Sequence, residues 1–337
     1  MKKSWIYLLI GCLCFSGTIY GKTVKQTQNA PVKLILDTDL GPDYDDVGAM
    51  ALLHALADSS QVSILATVAS NRHDKVVPCI EVLNTYFGRP DIPLGVPKEE
   101  NAPCLTSNHK VKWTEYLPAH YPHQMKRSSD APDAVQIYRK ILSEAADNSI
   151  TICTIGFFTN LKNLLLSSGD TYSPLTGKEL ISQKVKRLVA MAGRFPKGRE
   201  YNVYIDTPAS ITTFEEWPTE IIFSGFEIGE KVLTGKLVAQ MVIDNNPVKD
   251  TYRLCLAEGD FNGRKSWDQT AVLVAVKGYE PYYHVERGTI KIVDDKGTND
   301  WVPDDKGRHL RLIEKMPVTE ITKLINNYMM HLPVSKR

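Results

Sequence analysis

The chain has 337 residues, 43% of them hydrophobic and 23% charged, which places it with ordinary folded proteins and excludes disordered, collagen-like and disulfide-scaffold classes. Forty Lys and Arg against 39 Asp and Glu give a formal net charge of +1, so there is no global positive field of the kind that a nucleic-acid polymer or an anionic membrane surface attracts. A small, weakly charged ligand suits this balance better.

At the start of the chain, Lys2 and Lys3 precede the apolar run from Trp5 to Phe15, too short to span a bilayer but of the size of a signal-peptide core. Residues 1–21 read as a secretory signal and 22–31 as a polar linker, which would make the protein exported, either periplasmic or secreted. Leu9-Ile10-Gly11-Cys12 also resembles a bacterial lipoprotein cleavage box, and lipid anchoring through Cys12 is the alternative. No other segment is a transmembrane candidate. Four cysteines remain beyond the signal, Cys79, Cys104, Cys153 and Cys255, and none forms a CxxC pair, so free thiols are preferred to a disulfide framework or a zinc site.

From residue 32 onward, β-rich apolar runs alternate with helical patterns, the signature of βαβ units. Strands are expected at 32–36, 62–68, 93–96, 150–155, 185–191 and 220–223. Helices are expected at 45–57, 73–87, 133–147, 158–166, 207–215 and 268–276. The stretch 97–130, rich in Pro, His and aromatics without a period, reads as a long loop. Beyond it, 283–293 and 309–313 look like antiparallel strands and 318–330 like a closing helix. The expected architecture is α/β: a single large, open, mostly parallel Rossmann-like sheet in one domain over 32–337, with helices on both faces and a small antiparallel C-terminal addition. Ligand sites in such sheets lie at the carboxyl ends of the strands.

The densest chemical feature lies where the first strand ends. Asp37-Thr38-Asp39-Leu40-Gly41-Pro42-Asp43-Tyr44-Asp45-Asp46 places five carboxylates in ten residues. Like charges this close repel, and burying them together is costly unless a cation neutralises them. Hard oxygen donors with no Cys or His nearby favour Ca²⁺ or Mg²⁺ over zinc. The competing interpretation is a solvated acidic turn that caps the following helix.

These residues resemble the DxDxGxDDxxA opening of the inosine–uridine-preferring nucleoside hydrolases, matched by Asp37, Asp39, Gly41, Asp45, Asp46 and Ala49. The resemblance continues in order along the chain. Asn71 falls after the second strand, Thr154 to Asn160 is similar to the family's TGGLTN turn, and Val189 to Gly193 to its VxMGG strand. Glu200 to Asp206 is similar to EFNxxxD, and Trp267-Asp268 stands at the last aspartate ligand.

The resemblance implies hydrolysis of the N-glycosidic bond of ribonucleosides to ribose and free base. It implies a Ca²⁺ held by Asp39, Asp46, Asp268 and the main-chain carbonyl of Ile155, with Asp39 taking a proton from a bound water. Asp45 and Asn71 would hydrogen-bond ribose hydroxyls or that water, and Glu200 and Asn202 the 3′ and 5′ hydroxyls. It also implies a homo-oligomer, a dimer or tetramer.

Two departures from the family pattern stand out. Five residues instead of three separate Asp39 from Asp45, so Asp43 could take the role given to Asp45. Trp267 replaces the His that pyrimidine-accepting members carry; it has no titrating nitrogen but can stack on a base, which leans the preference toward purines. Trp113, Tyr116, Tyr121 and Trp301 are candidates for a second stacking aromatic, and Arg194 is a candidate for narrowing the pocket or contacting substrate. His54 reads as a core or interface residue, and His109, His120 and His123 lack metal spacing. Two alternatives remain: a Ca²⁺-dependent nucleoside- or carbohydrate-binding protein without turnover, and a haloacid-dehalogenase-like phosphatase. The latter wants Thr or Val where Gly41 stands and leaves Asn71, Glu200, Asn202 and Asp268 unexplained.

Overall fold

Strand β1 (Val32–Thr38) begins at the surface and ends fully buried, because its last five residues lie between two layers of helices. It belongs to a computed structural model that describes Met1 and residues 30–334, so the segment read as a signal, with Cys12, and most of the linker fall outside the described residues. Eleven further strands follow: β2 (Val62–Ala69), β3 (Leu94–Gly95), β4 (Ile150–Thr154), β5 (Val185–Met191), β6 (Lys197–Arg199), β7 (Glu220–Ser224), β8 (Leu233–Thr234), β9 (Arg264–Lys265), β10 (Tyr283–Ile292), β11 (Thr298–Pro303) and β12 (His309–Glu314).

Ten of them form one sheet in the order β3-β2-β1-β4-β5-β7-β12-β10-β11-β6. Pairing is parallel from β3 through β12 and antiparallel from β12 through β6. The α/β, mostly parallel architecture is therefore as the sequence predicts, with one refinement: β12 is antiparallel to β10 but parallel to β7, so it joins the two halves of the sheet. Alternate residues of β1 feed different apolar cores. Leu34 and Leu36 pack with helices Asp45–Asp58, Trp267–Lys277 and Val318–Met329, while Ile35 packs with Ala134–Glu144, Thr159–Leu166 and Thr207–Glu216.

The stretch read as a loop contains a helix, Trp113–His120, whose internal Pro118 hides the helical period. Strands β6 and β11 also lay outside the expected elements, β6 being only three residues long and exposed at two of them. No helix among the described residues is long and apolar enough to cross a membrane. Because β2 and β4 pair on opposite sides of β1, the connections diverge there and leave a crevice at the carboxyl ends of β1 and β4.

Candidate active site

That crevice opens into a cavity of about 230 Å³ lined by Asp39, Asp43, Asp45, Asn108, Ile155, Met191, Glu200, Tyr201, Asn202, Phe226, Arg264, Trp267 and Asp268. Its floor is made by a close approach of two strand ends. Ile155 N–H donates to the Asp37 carbonyl at 2.8 Å, and a Cβ on Gly156 would stand 2.4 Å from the backbone nitrogen of Asp39, so only glycine lets the β4 turn meet the chain beyond β1.

The carboxylates of this floor are buried. Asp39 is 5% exposed, Asp46 0% and Asp268 4%, and desolvation followed by mutual repulsion pushes all three well above the usual carboxylate range. One Asp46 oxygen accepts a short hydrogen bond from the Thr38 hydroxyl, while Oδ2 is buried with no hydrogen-bond partner. Burial and the neighbouring Asp43 raise Asp45 to about 7 even though Arg264 opposes the shift. Beneath them Asp37 accepts from Tyr138 Oη at 2.9 Å and Asn160 Nδ2 at 3.1 Å, and burial still raises it to about 7.

Glu200 and Asn202 enter the cavity through a cap. Glu200 Oε1 accepts from the Asn202 N–H at 2.8 Å and Oε2 from the Val203 N–H at 3.2 Å, starting the helix Tyr201–Ile205, while Gly193 N–H adds a third bond at 3.2 Å. Burial outweighs these donors and raises Glu200 to about 7. Asn202 Nδ2 donates to the Met191 carbonyl at 3.1 Å and to the Ile155 carbonyl at 3.4 Å, tying the ends of β5 and β4 together.

The opposite wall is aromatic. Trp267 Nε1 donates to the Phe226 carbonyl at 2.8 Å, and the two rings lie 5.0 Å apart at 36°. Gly229 permits this packing, since a Cβ there would fall 2.3 Å from the Trp267 Cα. Arg264 reaches across from β9. Its Nε and Nη2 donate to Asp45 Oδ1 at 3.1 and 2.9 Å, and Nη2 also bonds Asp43 Oδ2.

The structure thus brings Asp39, Asp45, Asp43, Ile155, Glu200, Asn202, Trp267 and Asp268 to one cavity, with Asp46 buried nearby. Asn71 is placed differently from its expected position against ribose or water. It is fully buried, Nδ2 donates to the carbonyls of Asp39 and Leu105, and Oδ1 accepts from the N–H groups of His73 and Leu105, so its amide fastens loops around the floor. None of the four proposed stacking partners lines the cavity. Trp113 is wholly buried, Trp301 packs edge-on against Phe195 at 5.3 Å, and Tyr116 and Tyr121 direct their hydroxyls to Asp250. Phe226 and Tyr201 line it instead. Arg194 is exposed, with its guanidinium 4.8 Å from the centre of the Phe226 ring. His54 is buried against Asn84 and Phe87, as expected of a core histidine.

Among the described residues, no three or more His, Cys, Asp or Glu side chains converge as a ready-made metal cage. The donor chemistry nevertheless fits a hard cation. Three buried carboxylates repel one another, and one of their oxygens lacks any partner, a costly arrangement that a divalent ion relieves.

Comparison with known proteins identifies the fold and the family. The sequence profile described as "Inosine-uridine preferring nucleoside hydrolase" matches residues 34–321. No curated protein sequence matches the chain significantly. Among solved structures, the chain is similar to a purine-preferring ribonucleoside hydrolase from Gardnerella vaginalis (TM-score 0.67, 14% identity, 88% of this chain and 98% of that one). It is also similar to the inosine–uridine preferring nucleoside hydrolase of Bacillus anthracis (0.65, 16%, 89% and 99%) and to an inosine–guanosine nucleoside hydrolase (0.64, 19%, 89% and 99%). At such identities the structural likeness establishes the fold, and the profile, which spans most of the chain, establishes the family. The chain belongs to the inosine–uridine preferring nucleoside hydrolases, enzymes that cleave N-glycosyl bonds of nucleosides.

Proposed function

We propose that the protein hydrolyses purine-leaning ribonucleosides to ribose and free base with one Ca²⁺ held by Asp39, Asp46, Asp268 and the Ile155 carbonyl. The observation that carries this reading is the cavity itself, in which buried carboxylates face a tryptophan across a space bounded by Glu200 and Asn202. When bound, Ca²⁺ supplies positive charge that lowers the pKa of a coordinated water and orients a sugar diol.

The chain's own residues do the rest. Asp39, at the floor of the cavity, accepts the proton of the attacking water. Asp45 has Oδ1 held by Arg264 and turns Oδ2, which receives only the Asp268 N–H at 3.4 Å, toward a ribose hydroxyl. Glu200 and Asn202, fixed by the cap and by two strand-end carbonyls, meet the remaining hydroxyls. The acidic floor stabilises the oxocarbenium character that develops on the sugar as the bond breaks. Asn71 serves this chemistry by holding the Asp39 carbonyl in place.

The purine lean rests on Trp267, which lines the cavity with its indole N–H bonded to the Phe226 carbonyl and offers an aromatic edge to a base. A panel of inosine, guanosine, adenosine and uridine, assayed with Ca²⁺ and with a chelator, tests metal, reaction and preference together. Release of ribose from none of them, or undiminished release in chelator, defeats the proposal. Export by the N-terminal signal is part of it and is checked by sequencing the mature N-terminus. Assembly into a dimer or tetramer is checked by light scattering.

A further inference from the structure

We infer that Arg264 is a resident counter-cation, which withdraws Asp43 and Asp45 from chelation and confines the acidic floor to a single divalent ion. The inference rests on the cation reading above and concerns how many ions the cluster takes. Five aspartates, Asp39, Asp43, Asp45, Asp46 and Asp268, lie within mutual electrostatic reach. Clusters this acidic commonly take two metal ions a few ångströms apart, each held by part of the set. Here one limb already has its cation. Arg264 Nε and Nη2 grip Asp45 Oδ1, Nη2 reaches Asp43 Oδ2, and Nη1 stands 3.7 Å from Asp260 Oδ2.

The guanidinium is fixed in place. Its carbon lies 5.1 Å from the Tyr44 ring centre and 5.1 Å from that of Trp267, and Tyr44 Oη donates to Asp260 at 2.7 Å, closing the network from behind. The side chain is only 13% exposed. Asp39, Asp46 and Asp268 receive no hydrogen bond from it, and Asp46 Oδ2 has no partner at all. The split is therefore between two carboxylates held by an arginine and three left for an ion. A guanidinium cannot dissociate into solvent as a metal does, nor lose its proton near neutral pH, so the first limb keeps a cation permanently.

The test is calorimetric titration of the purified protein with CaCl₂ alone, with circular dichroism as the check on folding. The wild type binds one ion per chain. Arg264→Gln gains a second binding event, and the double variant Asp43→Asn/Arg264→Gln returns to one, because the second ion needs both freed carboxylates. Asp43→Asn alone, at a partly exposed position, keeps one ion with an affinity within about threefold of wild type, the size expected of a screened charge nearby. A single unchanged event in Arg264→Gln overturns the inference, as does a tenfold or greater loss of affinity in Asp43→Asn. Should Arg264→Gln fail to fold, Asp43→Asn decides alone. A wild type that binds no Ca²⁺ removes the cation reading and the inference with it, and the wild-type titration by itself separates that outcome from the others.

Discussion

Two arginines in this molecule, one buried and one mostly so, keep different company. Arg139, 2% exposed, meets one carboxylate: Nε and Nη2 donate to Asp170 at 2.8 and 3.1 Å, and the remaining donors go to Ser167 Oγ and the carbonyls of Ser173 and Leu175. Asp170 is held below the usual carboxylate range by that contact. Arg264 faces Asp43, Asp45 and Asp260, beside Asp39, Asp46 and Asp268. There burial first, and like charge second, pushes Asp39, Asp45, Asp46 and Asp268 up. A charge pair placed for stability is closed and balanced, whereas the cavity keeps a surplus of negative charge, which is affordable only where a ligand is expected.

The sharpest way to test that contrast is Asp39→Asn. Removing the proton acceptor at the surplus side lowers kcat by about 10³-fold in the Ca²⁺-loaded protein, while the thermal transition of the metal-free protein is retained. Retained turnover breaks the assignment of the floor as the reacting centre. On the balanced side, Arg139→Ala empties a buried position and leaves Ser167 Oγ and the Ser173 and Leu175 carbonyls without their donor, which lowers unfolding free energy by about 3 kcal/mol. Denaturant melts check the stability loss, and kcat of the folded fraction stays at the wild-type value. A variant with wild-type stability shows that the clasp contributes nothing.

The two sides also part with pH. Asp37 and Glu200 have their pKa raised to about 7, above their unfolded values, so the stability of their protonated forms is fully present below about pH 4 and lost as pH rises through 7. In chelator, the melting temperature should fall by several degrees between about pH 5 and pH 8. A flat or rising profile contradicts the electrostatic picture of the floor. The smallest effect is expected on the uncharged wall. Trp267→Phe keeps a ring but loses the 2.8 Å bond to the Phe226 carbonyl, which changes KM for inosine by less than about tenfold. A larger change gives the indole a role beyond stacking.

What the sequence reveals follows the range of the interactions. The parallel strands and the acidic run are local: apolar runs of four to seven residues, then five aspartates in ten positions, and their convergence follows from strand-end topology. Arg264 leaves no such trace. It sits on a two-residue strand that no period announces, and its partners Asp43 and Asp45 lie about 220 positions earlier. Phe226 heads a four-residue helix and escapes for the same reason. Tyr201 lay in view, inside Glu200-Tyr201-Asn202, but a residue between two polar positions gives no sign of which way it faces. Asn71 shows the converse: its position was legible, but its service to backbone groups was not, because those partners become visible only once the loop around Leu105 is folded.

The antiparallel end of the sheet bears on how the enzyme is made. Strand β6 (Lys197–Arg199), the last three residues before Glu200, pairs only with β11, some hundred positions later, and both backbone groups of Arg194 are clasped by the buried side chain of Asn299. Strand β11 in turn hangs from β10, which reaches the parallel sheet only through β12. A nascent chain that has emerged as far as residue 280 therefore holds the acidic floor, Trp267 and the bonds that tie Glu200 and Asn202 to the ends of β5 and β4, but lacks the partner strand of β6 and the Asn299 clasp on Arg194. The outer support of the segment carrying Glu200 and Asn202 thus arrives only with β10 to β12, and folding is slowed by these long-range pairings.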